Sequence, residues 1–226
     1  MKSLENMLRI VNPGLVIDPT ILAHYRSLLT QEEQARIDRF VFPEDRHVRL
    51  VARASLRLFL AEFTGVPGQD FRFRYNDYGK PFVQDPLKHA GVHFNVSHTK
   101  DLIVVYISAQ HEVGVDVESI RPMSDLFSIA ERFFAPAEVA DLRTLSFEAA
   151  TQRFFQYWTL KESYIKARGM GLSLPLDQFW FELGDDPSIH FLPGIVDDSE
   201  RWCFSQQRLD SGHFVATASC SSQEAP

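Results

Sequence analysis

The stretch "HEVGVDVESI", residues 111–120, decides how the chain divides. Val113, Val115 and Val117 fall on one side of a period-two alternation, and Gly114, Asp116 and Glu118 on the other, so the stretch reads as a β-strand. Upstream of it, helical patterns come first and extended ones second. Residues 31–41 form a short predicted helix with Glu32 and Glu33 in its first turn. A longer helix opens at Pro43, places Glu44 and Asp45 in its first turn and closes at Gly65. "FRFRYND" (71–77), "YGKPFV" (78–83), "VHFNVS" (92–97) and "LIVVYIS" (102–108) are then extended or turn-like. Downstream of the strand the cycle repeats. "DLFSIAERFF" (125–134) and "PAEVADLRTLS" (136–146) read as helices, and a longer helix covers 148–168. Strand patterns follow in "FWFEL", "IHFL", "WCFSQQRL" and "HFVATASC", with Asp210-Ser211-Gly212 as a hairpin turn. The expected fold is therefore α+β, in two halves of similar size, 1–110 and 111–226, each a small, mostly antiparallel sheet packed on helices.

Composition narrows the class. The 226 residues are 45% hydrophobic and 23% charged, as in an ordinary globular chain, and 19 phenylalanines supply a sizeable core. The net charge of -7 argues against a nucleic-acid binder, but leaves room for a local basic pocket facing a small phosphorylated ligand. Cys203 and Cys220 form no CxxC pair, so neither a zinc site nor a disulfide framework is expected. No clean signal-peptide core and no run of about 20 apolar residues is present, and a cytoplasmic, non-membrane chain is the expectation.

Several side chains could carry chemistry. Asp116 and Glu118, two residues apart on a strand, share a face with Cα atoms about 6.5–7 Å apart. Such a pair is either a solvated polar face or a partial ligand set for a hard divalent cation. "WTLKESYIKARGMGLSLPL" (158–176) adds a third acid, Glu162, four residues before Lys166 on the same helix face; Lys161 points about 100° away. Trp158, one turn earlier, reads first as core. His98 follows a strand and stands beside Ser97, whose hydroxyl and N–H could meet a phosphate oxygen. Neither GxSxG nor a Gly-Lys-Ser/Thr phosphate loop accompanies them. Arginines at 46, 49, 53 and 57 line one side of the first long helix, as a solvated basic face or with one or two turned to a phosphate.

The order of "YGKP" (78–81), "FNVSHT" (94–99), "VGVDVE" (113–118), "FF" with "PAEV" (133–139) and the Trp158–Leu176 stretch resembles the 4′-phosphopantetheinyl transferases. The likeness is to the two-lobed type that includes the surfactin-synthetase activator, and covers about two-thirds of the chain, from about residue 30 to 185. It implies two similar α/β lobes arranged as a pseudo-dimer. It also implies transfer of the phosphopantetheine arm of coenzyme A to a serine of an apo acyl- or peptidyl-carrier protein. Mg²⁺, or Mn²⁺, would be held by Asp116, Glu118 and Glu162. Lys166 would act at the diphosphate, His98 at the diphosphate or the 3′-phosphate, and Ser97 and Lys80 at the nucleotide end. Arg53, with Arg49 as the alternative, would meet the 3′-phosphate. Glu162, or a metal-activated water next to Asp116, would take the serine proton. A monomer suffices for this activity, with no nucleic-acid or membrane partner. The resemblance further suggests a carrier-docking patch near Phe133–Phe134. Glu33 departs from the basic residue that some relatives carry there, which shifts the phosphate contact to Arg36, Arg49 or Arg53. Two rival readings use the same residues: a Mg²⁺-dependent phosphohydrolase, and a carrier-binding protein without activity.

Overall fold

The computed structural model describes residues 5–84 and 91–221. They cluster into two compact units, one of residues 5–76, 81–84 and 91–110, the other of 77–80 and 111–221.

The first unit contains β1 (Asn6–Val11), α1 (Pro19–Ser27), α2 (Gln31–Asp38), α3 (Pro43–Thr64), β2 (Phe73–Tyr75), β3 (Pro81–Val83), β4 (His93–His98) and β5 (Ile103–Ser108). Three strands form an antiparallel sheet in the order β1-β5-β4, with Met7 opposite Ile107 and Asn95 opposite Tyr106. Strands β2 and β3 make a separate hairpin. Helix α2 starts at a capping box in which Thr30 Oγ1 accepts from the Glu33 N–H and Glu33 accepts from the Thr30 N–H. Helix α3 has Pro43 at its first position, acids in its first turn and Gly65 in the left-handed region at φ 79° just past its end. Its Val51, Leu56 and Leu60 join Ile103, Val105 and Ile107 of β5 in one core, and all six are buried.

The second unit contains β6 (Glu112–Ser119), α4 (Leu126–Phe133), α5 (Pro136–Arg143), α6 (Phe147–Arg168), β7 (Phe179–Glu182), β8 (Ser188–Phe191), β9 (Trp202–Arg208) and β10 (His213–Cys220). Its main sheet is antiparallel in the order β6-β10-β9, with β7 and β8 as a side hairpin. Ser146 caps α6 through its hydroxyl, and Gly169 at φ 63° ends it. Phe154, Phe155, Tyr164, Phe179, Phe181, Trp202 and Phe204 fill the core with edge-to-face and stacked rings.

The α+β reading holds in both units. Strand β1 and helix α1 were not expected. Strand β1 is an edge strand that buries only Met7, and α1 buries no residue, so neither shows strong apolar periodicity. Helix α1 still carries a local start signal, since the Asp18 carboxylate accepts from the Thr20 N–H at 2.7 Å and Pro19 follows. Among the described residues, no helix is long and apolar enough to cross a membrane.

Candidate functional site

The acids of the second unit are brought together by a close backbone approach. A Cβ built on Gly114 would lie 2.0 Å from the Ser163 carbonyl oxygen and 2.4 Å from the Ala167 nitrogen. Only glycine lets β6 run that close under α6. The next residues on that side of β6 are Asp116 and Glu118, and the facing turns of α6 carry Glu162 and Lys166. Lys166 Nζ donates to Asp116 Oδ1 at 2.5 Å, and Asp116 is 3% exposed. Glu118 pairs with Arg121 at 3.5 Å. Burial pushes the Glu162 carboxyl up to about 7; Lys166 opposes the rise, and Asp116 and Glu118 add to it. Glu118 is likewise raised, first by burial and then by Asp116, with Arg121 and Lys166 pulling the other way.

Asp116, Glu118 and Glu162 thus share one electrostatic neighbourhood. They do not form a ready-made chelate: among the described residues, no group of three or more His, Cys, Asp or Glu side chains is arranged to hold a metal. The physical reason is that two of these acids are turned to protein cations, Asp116 to Lys166 and Glu118 to Arg121. The donor chemistry still suits a hard cation. Three carboxylates crowd a half-buried site, where burial first and their mutual repulsion second raise Glu162 and Glu118.

Lys161 has a structural task. Its Nζ is fully buried and donates to Glu138 at 2.8 Å, to the Leu176 carbonyl at 2.8 Å and to the Phe179 carbonyl at 2.5 Å. All three ammonium protons are therefore satisfied. Burial pushes Lys161 down to about 8 and Glu138 up, and their pairing opposes both shifts. Trp158 stacks on Phe154 with ring centres 5.8 Å apart, in keeping with a core residue. Within the segment near which a docking patch is expected, Phe134 is buried between Phe154 and Tyr157, and Phe133 is partly buried against Trp158.

The first unit holds a cavity of about 250 Å³ lined by Arg36, Arg49, Arg53 and His98, with Phe40 and Val96 among its apolar walls. Each of the three guanidiniums sits on an aromatic ring: Arg36 on Tyr75 at 5.2 Å, Arg49 on Phe40 at 3.9 Å and Arg53 on Phe73 at 4.7 Å. Glu33 also lines the cavity, but its charge is met by Arg53 at 3.1 Å and by the buried Arg57 at 2.7 Å. The basic stripe of α3 is thus neither uniformly solvated nor uniformly functional. Arg49 and Arg53 face the cavity, Arg57 is core, and Arg46 holds the Phe40 and Val41 carbonyls.

Two nucleotide-end candidates lie elsewhere. Lys80 Nζ donates to the Ala167 carbonyl at 2.6 Å and to the Val113 carbonyl at 3.2 Å, so it caps the C-terminal turn of α6 and ties it to β6. Burial pushes it down to about 8, with Glu112 opposing. Ser97 is buried and does not line the cavity; strand alternation gives that side to Val96 and His98. The sequence reading had no role for Gly114, Glu138, Phe73 or Tyr75. A glycine inside a strand was the available signal for Gly114, and an acid at the third position of α5 for Glu138. The aromatic seats of the arginines depend on contacts across elements and carry no local signal.

A family model described as "4′-phosphopantetheinyl transferase superfamily" matches residues 112–219, and one described as "4′-phosphopantetheinyl transferase, N-terminal" matches residues 19–111. The chain is 34% identical over 194 residues to the 4′-phosphopantetheinyl transferase Sfp of Bacillus subtilis (strain 168), covering 85% of this chain and 82% of that one. It is 35% identical over 166 residues to the 4′-phosphopantetheinyl transferase gsp of Aneurinibacillus migulanus, covering 74% and 67%. It is 41% identical over 145 residues to the 4′-phosphopantetheinyl transferase HetI of Nostoc sp., a match that spans 64% of this chain and 61% of that relative.

Proposed function

This chain belongs to the 4′-phosphopantetheinyl transferase family, and from that premise we propose that it moves the phosphopantetheine arm of coenzyme A onto a serine of an apo acyl- or peptidyl-carrier protein. The serine oxygen forms a new bond to the phosphorus that carries pantetheine. The bridging bond of the diphosphate breaks, and adenosine 3′,5′-bisphosphate leaves with the electron pair. Most of the catalytic demand is positioning and charge neutralisation.

The observation that carries this reading is the gathering of Asp116, Glu118, Glu162 and Lys166 where α6 lies on β6. Glu162, on the same face of α6 as Lys166, would accept the serine proton. Lys166, steered by Asp116, supplies a donor to phosphate oxygens as charge builds on the leaving group. Asp116, Glu118 and Glu162 would hold Mg²⁺, and the ion would offset phosphate charge and polarise the phosphorus. In the first unit, Arg53 and Arg49 would hold the 3′-phosphate of the nucleotide, and the His98 ring would donate to phosphate. Lys80 keeps the end of α6 in place and is not assigned a ligand. Two free cysteines, Cys203 exposed and Cys220 buried, accord with a cytoplasmic enzyme.

The test is intact-mass spectrometry of an apo carrier protein incubated with the chain, coenzyme A and Mg²⁺. Addition of one phosphopantetheine arm supports transfer. Cleavage of coenzyme A with no carrier present would instead mark a phosphohydrolase, and carrier binding without any mass change a non-catalytic partner. Glu162→Ala should retain the fold and lose transfer; near-normal turnover would displace the site from this helix face.

A further inference from the structure

The capping glutamates of the two units do the same structural work, with one difference. In the second unit, Glu138 Oε2 accepts from the Ala135 N–H at 3.0 Å and pairs with Lys161, while Oε1 accepts from the Phe181 N–H at 3.1 Å. In the first, Glu33 Oε2 accepts from the Thr30 N–H at 2.9 Å and from Arg57 at 2.7 Å, while Oε1 meets Arg53 Nε at 3.1 Å. The oxygen that fastens a strand in one unit fastens, in the other, a guanidinium at the wall of a cavity.

Arg53 is held at a second point. Its Nη2 donates to the Tyr75 hydroxyl at 2.6 Å, and the same oxygen accepts from Arg36 Nη1 at 3.1 Å. One phenol therefore fixes two of the three guanidiniums that line the cavity. The Tyr75 ring is 41% exposed on a three-residue strand, so its hydroxyl is not required to build the hairpin. Long arginine side chains lose rotamer freedom when they bind, and holding them beforehand removes that cost from the binding step. The lining carries three guanidiniums and one carboxylate, Glu33, which Arg53 shares with the buried Arg57, while Arg36 also pairs with the exposed Glu32 at 3.2 Å; planar forks of this kind suit a phosphate dianion.

We infer that Tyr75, together with Glu33, is a positioning residue that preorganises Arg53 and Arg36 for a phosphate monoester. It thereby sets the preference for coenzyme A over the same molecule lacking its 3′-phosphate. The inference rests on the reading that this cavity takes the nucleotide end of coenzyme A. Glu33 is a poor probe of it, because its replacement would also leave Arg57 buried without its counter-charge.

The test compares KM for coenzyme A and for 3′-dephospho-coenzyme A in the full chain, in Tyr75→Phe and in Arg53→Ala. Tyr75→Phe should raise KM for coenzyme A about three- to tenfold, the net worth of one ordinary hydrogen bond. KM for the dephospho form should stay within about twofold, and the effect should fall on KM rather than kcat. If Arg53→Ala erases the preference and Tyr75→Phe leaves it at the wild-type value, the positioning role is overturned while the cavity assignment stands. If Arg53→Ala leaves the preference unchanged, the cavity assignment fails and the inference fails with it.

Discussion

The two units follow one plan. In each, a 22-residue helix ending at a left-handed glycine packs on a three-stranded antiparallel sheet whose first strand pairs with its last. In each, that helix carries one buried cation, Arg57 or Lys161, which donates to two backbone carbonyls and to a glutamate from the short helix before it. The difference lies in how the helix meets the sheet. Helix α3 rests on β5 through a layer of apolar side chains, and its basic side faces a cavity. Helix α6 meets β6 through Gly114 with no side chain between, and acids from both elements are pressed together beside that contact. One scaffold thus yields a cation-lined cavity or a carboxylate cluster according to what separates helix from strand.

The comparison breaks first at the buried cations. Lys161→Met strands Glu138 in the interior, and Arg57→Met leaves the Gly68 and Phe71 carbonyls without their donor and Glu33 with Arg53 alone; each should cost about 3–5 kcal/mol in urea unfolding. A tolerated change in one unit alone would show that the shared plan is not a shared energetic device. Gly114→Ala comes next. Its new methyl cannot be accommodated against the α6 backbone, so a loss of about 1–3 kcal/mol should accompany a collapse of transfer activity.

The acids separate the units more finely. The folded pKa of Glu162 lies above the unfolded value of 4.5, so the folded state binds more protons and stability should fall as pH rises from about 4.5 to 7. In metal-free buffer at pH 8, Glu162→Gln should therefore be about 1–2 kcal/mol more stable than the parent, with a flatter pH profile, while losing transfer. Glu33→Gln should do the reverse and destabilise, because it removes the charge between two guanidiniums. Equal behaviour of the two variants in thermal melts at pH 5 and pH 8 would erase this distinction. The smallest effect is a matched pair: Gly65→Ala and Gly169→Ala should each cost about 1 kcal/mol, since both positions need a positive φ.

Much of this was legible in the chain itself. The strand at 111–120, the two long helices and the glycines that end them follow from local periodicity and capping. The spacing of Glu162 and Lys166 placed both on one helix face, and strand alternation paired Asp116 with Glu118. Other assignments were not legible. Lys80 looks like a ligand candidate by type, yet donates to two backbone carbonyls. Phe134, in the segment near which a docking patch is expected, is itself core. Glu33, out of place beside a phosphate, secures two arginines.

Sequence by itself determined the elements and the pairs of residues that share a face, because both depend on backbone periods of 2 and 3.6 residues. Tertiary structure alone decided which of several like-charged side chains line a cavity and which are spent inside. That choice rests on distances across elements, such as the Gly114 contact and the Tyr75–Arg53 bond, which chain separation does not encode.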